Sequence, residues 1–201
     1  MPTRWIIRLE ILLSVGLVLG CLGALAGLLM NAGMAFFGTP DGMGIPLRVF
    51  DVPTEGLTAG GATIDAVSAE VTVRPRGAAP LQGLLYLLMW APGTATWLLA
   101  LFTLVRALRR ARSGDRALFS AATARDLRTL GWILIAGSLV SAAIGMVAEA
   151  ILSSMLLTES HPFYPPSGEL VGVVVAGFAA LGVSEIIRRS LALLEEVEAT
   201  I

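Results

Sequence analysis

Lysine is absent from these 201 residues, and histidine and cysteine occur once each, as His161 and Cys21. A single cysteine excludes an internal disulfide, and its apolar neighbours favour a small thiol buried at a helix contact. A single histidine excludes HExxH and every other paired-histidine metal site. Glu149, Glu159 and His161 fall near one another along the chain, but two acids and an imidazole around a helix end make no recognised metal motif. Serines are plentiful, yet the lone imidazole opens the Pro-rich loop 161–166, so no nucleophile–base pair is available. Neither GxxxxGK nor GxGxxG occurs, which leaves nucleotide chemistry without support. The expectation is a protein that is not an enzyme and holds no cofactor.

Charge is scarce as well: 14% of residues are charged against 56% hydrophobic, and the mean hydropathy is +0.81. Four apolar stretches account for this, at 11–34, 81–105, 130–152 and 170–187. A helix needs about 20 apolar residues to cross a hydrocarbon core of about 30 Å. Unpaired backbone amides cost several kcal/mol in lipid, so each stretch must satisfy its own amides as a helix. The fold class expected is an all-α integral membrane protein with four transmembrane helices. A small β-containing loop, 38–80, lies between the first and second. A cytoplasmic loop at 106–128 and a tail at 188–201 complete a single domain over 1–201.

All fourteen basic residues are arginines, and their placement sets the orientation. Arg4 and Arg8 precede the first stretch, seven arginines lie in 106–128, and Arg188 and Arg189 follow the fourth. Only Arg48, Arg74 and Arg76 fall in 38–80, and the loop after the third stretch has none. Eleven against three is a strong positive-inside bias, which places both termini in the cytoplasm. A cleaved signal peptide is the competing account of the N-terminus, but the apolar run outlasts an ordinary h-region. Val18-Leu19-Gly20-Cys21 resembles a lipoprotein acylation site, and the apolar segment after it is unlike the polar tether such a site needs.

Within the first stretch Gly16, Gly20, Gly23 and Gly27 share one helical face, the small-residue pattern that lets helices approach closely in lipid. Ser138, Ser141 and Gly145 form a similar stripe on the third and are its natural complement, with a homodimer seam as the alternative. Segments 45–50 and 67–73 alternate as strands do and are bounded by turn residues, predicting two or three short strands. Pro92 predicts a kink in the second helix, with Thr94 and Thr96 placed to repair freed carbonyls. Ser120 is the expected N-cap of the third helix, whose first turns run to Arg128. Trp5 and Trp132 fit headgroup depth. Glu185 is spaced to pair with Arg188 and Arg189.

The residues from Leu118-Phe119-Ser120 to Arg125-Asp126-Leu127-Arg128-Thr129-Leu130-Gly131-Trp132, with Arg188-Arg189 and Glu195-Glu196 near the end, resemble a bacterial family known as domain of unknown function 2975. Leu118 stands where that family often has Pro, and Ala121-Ala122 where it has Pro-Glu. The resemblance implies four spans over essentially the whole chain and a bacterial plasma (inner) membrane. It also implies a cytoplasmic helix-turn-helix regulator as partner, and it assigns no catalytic residue.

The expected function is therefore that of a non-enzymatic sensor, anchor or regulator acting through its cytoplasmic face. Its docking residues for a partner or for lipid would be Arg106, Arg109, Arg110, Arg112, Arg125, Arg128, Glu195, Glu196 and Glu198, with no direct binding of nucleic acid. The alternative is a small transporter, channel or accessory subunit that uses the Pro92 kink and a wet cavity lined by Gln82, Thr94 and Thr96.

Overall fold

The apolar stretches fold as helices longer than the stretches themselves. A computed structural model describes residues 3–38, 44–50, 68–74, 77–111, 120–157 and 168–198. It contains α1 (Thr3–Phe37), β1 (Ile45–Phe50), β2 (Ser68–Val73), α2 (Pro80–Ala111), α3 (Ala121–Trp132), α4 (Ser138–Leu156) and α5 (Gly168–Glu198). A π-helical turn, Ile133–Gly137, joins α3 to α4. Four helical segments are long and apolar enough to cross a membrane: Ile7–Phe37, Pro80–Arg110, Ala121–Leu156 (through the π turn) and Leu170–Leu193.

At 1.5 Å per residue the 35 residues of α1 extend about 52 Å, well beyond a hydrocarbon core of about 30 Å. The surplus lies at charged ends. α2 runs on through Arg106, Arg109 and Arg110, and the third helical segment starts nine residues before its apolar stretch, as the sequence predicts. The Ser120 hydroxyl accepts from the Thr123 amide at 3.2 Å, and the Ser120 carbonyl accepts from Ala124. Leu12, Leu19 and Leu29 on α1 and Val175, Phe178 and Ile186 on α5 are exposed, an apolar surface of the kind that lipid covers.

The chain divides into two units. The first comprises Met1–Leu25, Pro92–Ala142 and Pro166–Ile201, the second Ala26–Ala91 and Ala143–Pro165. In the first unit α3 and the π turn pack on α5 through two glycines. A Cβ on Gly131 would stand 2.8 Å from the Gly177 carbonyl oxygen, and one on Gly177 would stand 2.6 Å from Ile135 Cγ1. The buried Ser184 hydroxyl donates to the Ala124 carbonyl at 2.8 Å and ties α5 to the first turn of α3. At the end of the π turn the Ser138 hydroxyl donates to the Leu134 and Ile135 carbonyls.

In the second unit β1 and β2 form an antiparallel pair in which Ile45 faces Val73 and Leu47 faces Val71. Because alternate residues share a face, Ile45 and Leu47 point together into a core with Leu85 of α2 and Ala148 and Leu152 of α4. Ile45, Leu47 and Leu152 are the largest fully buried side chains, so the hairpin is fixed to the helices by apolar burial. Gly83 lets α2 approach α1 there, since a Cβ would meet that of Ala35 at 2.7 Å.

Candidate functional site

The described arginines of the collar lie in the first unit, where α2 ends beside α1 and α3 begins. Arg106, Arg109 and Arg110 follow a spacing of three and four, which puts them on one side of α2. Arg110 Nη1 donates to Asp126 Oδ2 of α3 at 2.7 Å, and the Asp126 side chain is 11% exposed. Arg109 Nε lies 3.4 Å from Glu10 Oε1 of α1, which is 12% exposed. Two nearly buried carboxylates thus hold two arginines that are 65% and 40% exposed. The two pairs link the ends of α1, α2 and α3, and removing either arginine would leave a nearly buried carboxylate without that partner.

Arg125 and Arg128 differ. Both are exposed on α3 and neither enters an ion pair among the described residues. On α5 the Glu185 carboxylate accepts from Arg188 Nη2 and from Arg189 Nε, both at 3.0 Å, the fork its spacing predicts. Arg112 lies outside the described residues, as do Glu159 and His161. Glu195, Glu196 and Glu198 belong to α5, with side chains outside the described set. Among the described residues no three of His, Cys, Asp and Glu stand close enough to hold a metal.

Of the α1 glycines, two approach α2. A Cβ on Gly20 would meet Leu98 at 2.9 Å and one on Gly27 would meet Trp90 at 3.1 Å, whereas Gly16 and Gly23 face open space. Two members of the stripe on the third helical segment also meet α2, not the α1 glycines they were expected to complement: Ser141 opposes Gly93, and a Cβ on Gly145 would stand 3.5 Å from the Met89 carbonyl oxygen. The reason is that α2 carries its own small residues on either side of Pro92. The helix runs on through Pro92, and the Thr96 hydroxyl donates to the Pro92 carbonyl at 2.9 Å. That carbonyl is not the one proline frees, which belongs to Leu88, so the expected repair by Thr96 is corrected. The Thr96 side chain packs instead where a Cβ on Gly137 would stand.

Glu10, Asp126, Gly131 and Gly177 are the residues that sequence reasoning overlooked. Asp126 had a visible signal, an acid among arginines, as did Glu10, an acid on the arginine-rich flank of an apolar run. Gly131 had only its place in the family-like motif, and Gly177 lies at steps of five from Gly172 and Gly182, which puts the three on different helical faces.

Four long apolar helices, three of them joined at their ends by arginine–carboxylate pairs, are the pattern of a multi-pass membrane protein. The chain belongs to the family described as Protein of unknown function (DUF2975), whose profile matches residues 39–201. That match is narrower than the whole-chain likeness and leaves α1 outside it. No curated protein and no solved structure matches the chain.

Proposed function

We propose that the protein is a non-enzymatic anchor or regulator in a bacterial plasma membrane, with both termini in the cytoplasm, which holds an acidic cytoplasmic partner on its arginine face. The observation that supports this reading is the division of labour among the arginines. Arg109 and Arg110 are engaged in fastening helices, while Arg125 and Arg128 extend from α3 with no structural partner among the described residues. An exposed guanidinium pair one turn apart suits a carboxylate-rich surface, because each offers a planar fork to an acid. A soluble helix-turn-helix regulator is the partner that the family resemblance suggests. The transporter alternative has less support, since the Thr96 hydroxyl is committed to the Pro92 carbonyl and its side chain packs against Gly137.

The test is a crosslinking pull-down from native membranes that compares wild type with Arg125→Glu/Arg128→Glu. This variant leaves the Glu10 and Asp126 pairs intact, so partner loss is separable from misfolding. A soluble DNA-binding protein recovered with wild type and lost with the variant supports the reading. Recovery of membrane components alone, unchanged by the variant, overturns it.

A further inference from the structure

The facing surfaces of α1 and α2 in the first unit do not close completely. Next to the Glu10–Arg109 pair they leave a groove of about 470 Å³. Its polar end is formed by Ser14, one turn beyond Glu10, and by Arg106, one turn before Arg110. Its walls continue inward as Leu17, Val18, Phe102 and Val105. The groove ends where Gly20 meets Leu98 and the helices touch. A channel that is cationic at the helix ends and apolar toward their middles has the polarity of a phospholipid, head outward and chain inward.

Charge identifies the head. Three guanidiniums line the groove, Arg106, Arg109 and Arg110, and two carboxylates, Glu10 and Asp126, engage two of them. One positive charge is left over. It belongs to Arg106, which is exposed and forms no ion pair among the described residues. The Ser14 hydroxyl beside it likewise makes no hydrogen bond among them. A guanidinium fork and a hydroxyl donor together match the single charge and free oxygens of a phosphodiester. The walls supply the chain site. At about 30 Å³ per water the groove would take roughly fifteen waters, and its apolar walls offer them no partners. In a bilayer an acyl chain fills such a space without cost, while selectivity rests on the head, because lipid tails are as apolar as the wall.

We propose that this groove binds one anionic phospholipid, with its phosphodiester on Arg106 and Ser14 and an acyl chain along Leu17, Val18 and Phe102. The site rests on the membrane-protein reading above but not on any cytoplasmic partner. α1, which supplies Ser14, Leu17 and Val18 to the groove, lies outside the residues matched by the family profile.

The experiment is native mass spectrometry of the full chain, purified in a neutral detergent and titrated with phosphatidylglycerol, with phosphatidylcholine of the same chains, and with inorganic phosphate. Wild type is expected to retain one phosphatidylglycerol about fivefold more tightly than phosphatidylcholine, the preference one basic residue supplies near a membrane surface. Arg106→Gln should abolish that preference, weakening phosphatidylglycerol more than phosphatidylcholine, whose choline already neutralises its phosphodiester. Val18→Trp, which fills the chain site, should weaken both lipids, and Arg128→Gln should alter neither. Equal retention of the two lipids by wild type would overturn the proposal, as would an Arg106→Gln variant that keeps its preference. Displacement of phosphatidylglycerol by millimolar inorganic phosphate would also overturn it, by showing an anion site with no chain component. Because no partner is present, failure here leaves the pull-down result standing. Recovery of the chain from the soluble fraction without detergent would instead sink the membrane reading beneath both.

Discussion

A glycine matters here according to what its missing Cβ would strike. At Gly131 that atom would meet Leu181 Cγ at 2.7 Å as well as the Gly177 carbonyl oxygen at 2.8 Å, so neither neighbour is a loose chain end that can swing aside. Gly131→Ala should therefore separate α3 from α5 and lower stability by about 1–3 kcal/mol, the usual cost of overpacking. Gly172→Ala is the matched control, because nothing lies within 4 Å of its added Cβ, and it should be neutral or slightly stabilising. Thermal unfolding in detergent reads both, and equal behaviour of the two variants would disprove the crossing. Asn31 presents the opposite case, a polar group where none is satisfied. It is 5% exposed on α1, and its Nδ2 has no hydrogen-bond partner among the described residues. An orphaned buried amide costs about 1–3 kcal/mol, so Asn31→Leu, of similar size, should raise the unfolding temperature in the same assay. A fall would reveal that the amide has a partner essential to the fold.

Elements were legible in the sequence wherever their signal was local. The four helices follow from apolar length, the strands from alternation at 45–50 and 68–73, the Ser120 cap from its position, and the Glu185 fork from spacing. What the sequence withheld is the choice of neighbours. Glycine steps on α1 announce close packing, yet two of the four are left open, because only the partner's shape decides which ones are used. The π turn at Ile133–Gly137 has no cue beyond nearby glycines, and the Glu10 and Asp126 pairs exist only once three helix ends are brought together. The hairpin supplies a test at this scale. Leu47 is fully buried against helices, so Leu47→Ala should cost about 2–5 kcal/mol and loosen β1 from the second unit. Limited proteolysis should then cut near the strands faster than in wild type, and an unchanged digest would show that the hairpin is held some other way. For the ion pair, Asp126→Asn should destabilise by about 1–2 kcal/mol, and less in Arg110→Gln, where the acid's partner is already gone. Additive losses would mean that the 2.7 Å contact carries no energy.

At the scale of the whole molecule, parity and charge bear on orientation. Four crossings would return the chain to the side on which it began, so the proposed topology puts the termini and the connection between α2 and α3 on one side and the hairpin on the other. Eleven of the fourteen arginines belong to the first side. Arginine resists translocation, so this side should be the cytoplasm. The chain offers a simple means of checking, because Cys21 is its only cysteine and lies within the apolar part of α1. In a Cys21→Ser background, Thr72→Cys on β2 and Ser190→Cys near the end of α5 are both at exposed positions. A membrane-impermeant maleimide should label Thr72→Cys in intact cells and Ser190→Cys only after permeabilisation. The reverse pattern would turn the protein over and remove the cytoplasmic partner from Arg125 and Arg128. Labelling of both in intact cells would contradict four crossings, since no even number of spans can put the hairpin and the end of α5 on one face.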